Sequence, residues 1–150
     1  MENGVGVKMS GVARGQKNTS APCTILVIDD DDDQCAYLEA ILSTDGFDVR
    51  AAYSSRAALS VLRETKIDLV ICDFEMPGAS GLEFIEYIRT HNLTSAARIP
   101  VILLTGTMMD IEQAARDLGA DSFCSKRSGP ENLLMEIKKL RPITGERKPI

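Results

Sequence analysis

The chain has 150 residues, 44% of them hydrophobic and 26% charged, which is the balance of one packed domain rather than of a disordered chain. A formal net charge of −5 and the lack of tryptophan speak against a nucleic-acid surface, which needs basic patches and stacking rings. No apolar run approaches the roughly 20 residues that span a bilayer, and the N-terminus lacks an apolar secretory core, so a cytoplasmic protein without membrane contact is expected.

Residues 1–22 are rich in Gly, Ser, Asn and Lys and show no periodicity, so a flexible N-terminal arm is expected there. The first strand is "TILVI" (24–28), a continuous apolar run of the kind buried on both faces in a parallel sheet. It runs directly into five aspartates, Asp29 to Asp33. Asp31 and Gln34 have the spacing of an N-cap and its N3 partner, and carboxylates in a first helical turn suit the helix dipole. Cys35, Leu38, Ile41 and Leu42 then mark the inner face of a first helix, which Gly46 ends.

"FDVRA" (47–51) alternates and suits an edge strand, and Ala58, Val61 and Leu62 line a second helix. "DLVIC" (68–72) reads as a third, central strand, and "SGLE" (80–83) as a capping box opening a third helix. "PVILL" (100–104) is the fourth strand. Ile111, Ala114, Ala115 and Leu118 give the fourth helix, with Gly119 placed to stop it. "DSFCS" (121–125) suits the other sheet edge, and Leu133, Ile137 and Leu140 line a fifth helix. Residues 142–150 form a short tail. The arm and tail together hold five basic and two acidic residues, which leaves −8 on residues 23–141.

Five β-α units in strict alternation, joined by right-handed crossovers, imply a doubly wound parallel sheet. With the two mixed strands at the edges, the order is 2-1-3-4-5. In such sheets the functional rim lies beyond the C-terminal ends of the central strands. Asp29 and Asp30 follow strand 1, Asp73 follows strand 3, Thr105 follows strand 4 and Lys126 follows strand 5. Three clustered carboxylates require a counter-charge. Mg²⁺, a hard cation that takes oxygen ligands, supplies it, and Lys126 adds a second positive charge. Such a site suits phosphoryl transfer onto Asp73 as the nucleophile.

These motifs ("VIDDDD" at 27–32, "DFEMPGASG" at 73–81, "IPVILLTG" at 99–106 and "GADSFCSK" at 119–126) resemble those of a response-regulator receiver domain of the CheY-like, flavodoxin-like type. The likeness spans residues 23–141. It implies a phosphorylation-dependent switch in which Asp73 accepts a phosphoryl group from a sensor histidine kinase or histidine phosphotransferase. The resemblance further implies that Asp30, Asp73 and the backbone carbonyl of Glu75 ligate Mg²⁺, with Asp29 acting mostly through water. Lys126 and Thr105 would contact the phosphoryl group, and Phe123 would be the switch aromatic. Output would leave through the face of helix 4, strand 5 and helix 5.

About ten residues follow the fifth helix, too few for an output module, so a stand-alone receiver without direct DNA binding is expected. Two other readings compete with the switch. One is an adaptor that keeps the fold without phosphorylation. The other is an aspartate-nucleophile phosphohydrolase, which wants a second aspartate where this chain has Glu75. Apart from its own phosphorylation and dephosphorylation, no catalysis is expected. The family's usual proline after Lys126 is replaced by Arg127, so a trans bond is expected there. The four cysteines show no metal-like spacing and read as small buried hydrophobes in a reducing compartment. Of the remaining residues, His91 and the basic "KKLR" (138–141) read as solvated surface, and Met76 and Pro77 as loop-shaping.

Overall fold

The computed structural model describes residues 23–76, 78, 80–91, 98–106 and 111–140. The expected arm (1–22), the tail (142–150), Pro77 and Arg141 lie outside them. Five strands and five helices alternate: β1 (Thr24–Ile28), α1 (Asp32–Thr44), β2 (Asp48–Ala52), α2 (Ser55–Glu64), β3 (Leu69–Asp73), α3 (Gly81–Thr90), β4 (Val101–Thr105), α4 (Glu112–Leu118), β5 (Ser122–Ser125) and α5 (Pro130–Leu140). All neighbouring strands pair in parallel, in the order β2-β1-β3-β4-β5.

Strand alternation divides the core into two layers. Ile25, Val27, Leu69, Ile71, Ile102 and Leu104 face α1 and α5, against Leu38, Leu42, Leu133 and Ile137. Leu26, Ile28, Val70, Cys72, Val101 and Leu103 face α2, α3 and α4, against Ala58, Phe84, Ile88 and Ala115. The central strands β3 and β4 are buried at every position, which explains their unbroken apolar runs.

The helix ends follow local chemistry. Ser80 accepts from the Glu83 amide while Glu83 accepts from the Ser80 amide, a complete capping box. Asp31 caps α1, accepting from the amides of Asp33 and Gln34. The reciprocal bond, from the Asp31 amide to the Gln34 side chain, does not form. The Asp31 amide donates instead to Asp29 Oδ1, at 3.0 Å. Strand 3 is one residue later than expected, so Asp73 is its last residue rather than the residue after it. Thr105 likewise closes β4.

At the opposite end of the sheet, two aspartates use one device. Asp68 donates its amide to the Thr24 carbonyl (2.8 Å) and accepts from the Thr24 amide on its carboxylate (2.8 Å). Asp121 does the same with Val101, at 2.8 Å for both bonds. The first residues of β1 and β4 are thereby pinned to the neighbouring strand. Each pinning carboxylate also meets a cation: Lys66 lies 3.3 Å from Asp68, and Arg89 lies 2.9 Å from Asp121.

Candidate functional site

The C-terminal ends of β1, β3, β4 and β5 bring the predicted residues together. One carboxylate oxygen from each of Asp29, Asp30 and Asp73 lies within 4.8 Å of the others. Asp29 and Asp73 are buried, at 2% and 5% exposure, and Thr105 is buried at 1%, whereas Asp30 is exposed. Lys126, one residue past β5, folds back over the rim. Its Nζ lies 2.9 Å from Asp73 Oδ1 and 3.3 Å from Asp29 Oδ2, and its side chain keeps 28% exposure. The Lys126 amide donates to the Thr105 carbonyl at 2.7 Å, which registers β5 against the end of β4.

Burial and the neighbouring charges shift these groups. Desolvation raises the Asp73 carboxyl, the Lys126 hydrogen bond opposes it, and the Asp29 charge pushes upward again, with a net rise. For Lys126, burial alone would lower the ammonium. The hydrogen bond and charge of Asp73, followed by the charge of Asp29, outweigh it and hold the ammonium protonated, above its ordinary range.

Lys126 meets Asp29 Oδ2 at 3.3 Å, longer than its 2.9 Å approach to Asp73. Among the described residues, no other donor reaches buried Asp29 Oδ2. A buried, under-satisfied carboxylate oxygen in an all-oxygen cluster of three acids is the donor set a hard divalent cation satisfies. The residues present fit Mg²⁺.

Phe123 is half-buried on β5 and packs against the α2–α3–α4 layer, opposite Leu103 on β4. Glu75 is exposed in the segment after β3. Cys72 points into the core, in the layer facing α2, α3 and α4. The Lys126–Arg127 bond is trans, as is every peptide among the described residues. His91 is exposed and stacks on Tyr87 at the end of α3, away from the rim.

Sequence reasoning missed Gly81. It opens α3 with its amide donating to the Phe74 carbonyl at 2.8 Å, and it lies against the Asp73 carbonyl. The available signal was a poor helix former at a first helical position, directly after a strong cap.

Sheet order and acidic rim together narrow the chain to the CheY-like class of α/β signalling domains. Its sequence matches the response regulator receiver domain over residues 25–138, and the chain belongs to that family. It is 33% identical to the transcriptional regulatory protein GltR of Pseudomonas aeruginosa, over 78% of this chain and 48% of that one. It is 40% identical to a probable cyclic di-GMP phosphodiesterase of Vibrio cholerae, over 69% of this chain and 23% of that one. The chain thus spans less than half the length of each of these relatives. Among solved structures, TrrA of Thermotoga maritima in complex with Mg²⁺-BeF is similar, at 31% identity and TM-score 0.70, covering 79% of this chain and 98% of that one. A receiver protein from Pseudomonas putida matches at 30% identity and TM-score 0.73, covering 81% and 99%.

Residues 25–138 are thus a receiver domain, the phosphorylation-dependent switch module of two-component signalling. Among the described residues, no helix is long and apolar enough to cross a membrane.

Proposed function

We propose that Asp73 is the phosphoacceptor of a receiver domain spanning residues 23–141. The observation that carries this reading is the Lys126 ammonium held 2.9 Å from the buried Asp73 carboxylate, beside a second buried carboxylate, Asp29. In the transfer, a carboxylate oxygen of Asp73 forms a bond to phosphorus. The phosphorus–nitrogen bond to the donor imidazole breaks, and the imidazole leaves with the bonding pair. Asp29, Asp30, Asp73 and the Glu75 backbone carbonyl would hold Mg²⁺, which supplies positive charge to the carboxylates and to the phosphoryl oxygens. Lys126 pairs with a phosphoryl oxygen, and the Thr105 hydroxyl donates to another.

Output follows from the new charge. Thr105 moves toward the phosphoryl group and vacates space, Phe123 takes an inward rotamer, and the face of α4, β5 and α5 changes its affinity for a partner protein. Moving the population from about 1:99 to 99:1 takes roughly 5.5 kcal/mol of differential contact. One charge-assisted hydrogen bond supplies about 1.5–3 kcal/mol, so Thr105 alone is insufficient and Lys126 must share the work.

Incubation with acetyl phosphate and Mg²⁺, followed by intact mass, tests the reading. The wild type gains one phosphoryl group and Asp73→Asn gains none. A gain in Asp73→Asn would move the acceptor elsewhere. No gain in the wild type would favour the phosphorylation-independent adaptor, and release of phosphate without a lasting gain would favour a phosphohydrolase or a receiver that hydrolyses its own aspartyl phosphate rapidly.

A further inference from the structure

Gly81 is the first residue of α3, directly after the capping Ser80. Its φ lies outside the left-handed region, so its backbone conformation is open to any L residue. Space is what forbids a side chain. A Cβ there would meet the Asp73 carbonyl oxygen closer than real Cβ contacts allow, with the Asp73 carbonyl carbon at 3.1 Å and Leu103 Cδ1 at 2.9 Å. On its other side, the Gly81 amide donates to the Phe74 carbonyl at 2.8 Å, while the Phe74 amide donates to Leu104 of β4 at 2.9 Å. Gly81 therefore touches both consecutive carbonyls at the end of β3. Glu75, whose carbonyl belongs to the proposed Mg²⁺ site, directly follows Phe74 in the chain.

We infer that Gly81 is a positioning residue for the phosphoacceptor: its missing side chain lets the first turn of α3 seat against the Asp73–Phe74 backbone and fixes where Asp73 and the Glu75 carbonyl present their oxygens. The inference rests on Asp73 being the acceptor. A leucine methyl can rotate away from an added Cβ, but a carbonyl in the last pair of a buried ladder cannot. Relief has to come from a shift of the Asp73 backbone or of the first turn of α3 seated on it, and either one changes how the carboxylate is held.

Four proteins decide the matter: wild type, Gly81→Ala, Leu103→Val and the double variant. Leu103→Val removes the δ-methyl conflict and leaves the conflict with the Asp73 carbonyl in place. Gly81→Ala is expected to take a phosphoryl group from acetyl phosphate about 10²-fold more slowly, the scale of a misplaced reacting group. Calorimetric titration should show its Mg²⁺ affinity lowered about 10–100-fold, as when the support of a ligand is disturbed. The double variant should recover melting temperature relative to Gly81→Ala but recover neither the rate nor the Mg²⁺ affinity. Leu103→Val alone should change melting only. Wild-type rate and Mg²⁺ affinity in Gly81→Ala would overturn the inference. So would their recovery in the double variant, which would make the glycine a packing residue only. If Gly81→Ala does not fold, the double variant, with its side-chain conflict relieved, carries the same comparison. If the wild type gains no phosphoryl mass, the acceptor reading fails instead, and the Mg²⁺ titration still decides on Gly81.

Discussion

The four cysteines show how burial silences a reactive side chain. None is in a disulfide, and Cys35, Cys72 and Cys124 are buried. Burial, then the charges of Asp29 and its neighbours, pushes the Cys35 thiol up to about 11. Burial, then the charge of Glu136, pushes Cys124 up to about 11, and burial beside Asp73 raises Cys72 further. A raised thiol pKa depletes the thiolate, which is the nucleophile. Near pH 8 a group titrating at about 11 is on the order of 10⁻³ thiolate. Iodoacetamide should therefore label half-buried Cys23 first in the native protein and the other three only after denaturation; native labelling of Cys72 would contradict this account. The burial of Cys35 and Cys72 was legible, because one sits on an apolar helix face and the other in an apolar run; Cys124 lies in a mixed strand, and Cys23, expected buried with the rest, is only half-buried. The diversion of the Asp31 amide to Asp29 was not legible, because cap patterns describe a helix start without the site beside it.

Four helices were legible from their period, the third from its capping box, and each central strand from its continuity, because period and continuity follow from burial on known faces. Boundaries were less so. Asp73 and Thr105 belong to their strands because ladder pairing with neighbours, which a single strand's sequence does not encode, sets where a strand ends. A similar long-range tie joins β5 to α5. Buried Ser122 donates to Glu136 Oε1 at 2.7 Å, and Lys139 lies 3.2 Å from Glu136 Oε2. The Ser122 bond, then Lys139 and Arg116, hold the Glu136 carboxyl below the usual carboxylate range. A depressed folded value contributes stability above that range and loses it as pH falls through the folded value. Ser122→Ala should thus cost about 1.5 kcal/mol at neutral pH, the low end for a bond to a charged group, because Glu136 keeps 28% side-chain exposure. The gap between variant and wild type should close in acid. Thermal scans of both proteins across pH check this, and a gap that persists in acid would assign the effect to packing.

Across the whole molecule, sheet order and the location of the rim followed from which strands were apolar throughout and which were mixed. The pinning role of Asp68 and Asp121 was hidden, because nothing local distinguishes those aspartates from the ones at the rim. Parallel strands give a sheet two unlike ends, and here each end has its own aspartates. Asp29, Asp30 and Asp73 crowd like charges within 4.8 Å of one another, and Asp68 and Asp121 close backbone ladders with 2.8 Å bonds. Asp68→Ala and Asp121→Ala should each cost about 1–3 kcal/mol of stability and still accept a phosphoryl group, whereas Asp30→Ala should melt no earlier than wild type and accept it poorly. Loss of acceptance by folded Asp68→Ala would break the division. In evolutionary terms, the poles are separately editable. Drift at the upper pole can retune how long a signal lasts without endangering heritable foldability, which the lower pole safeguards.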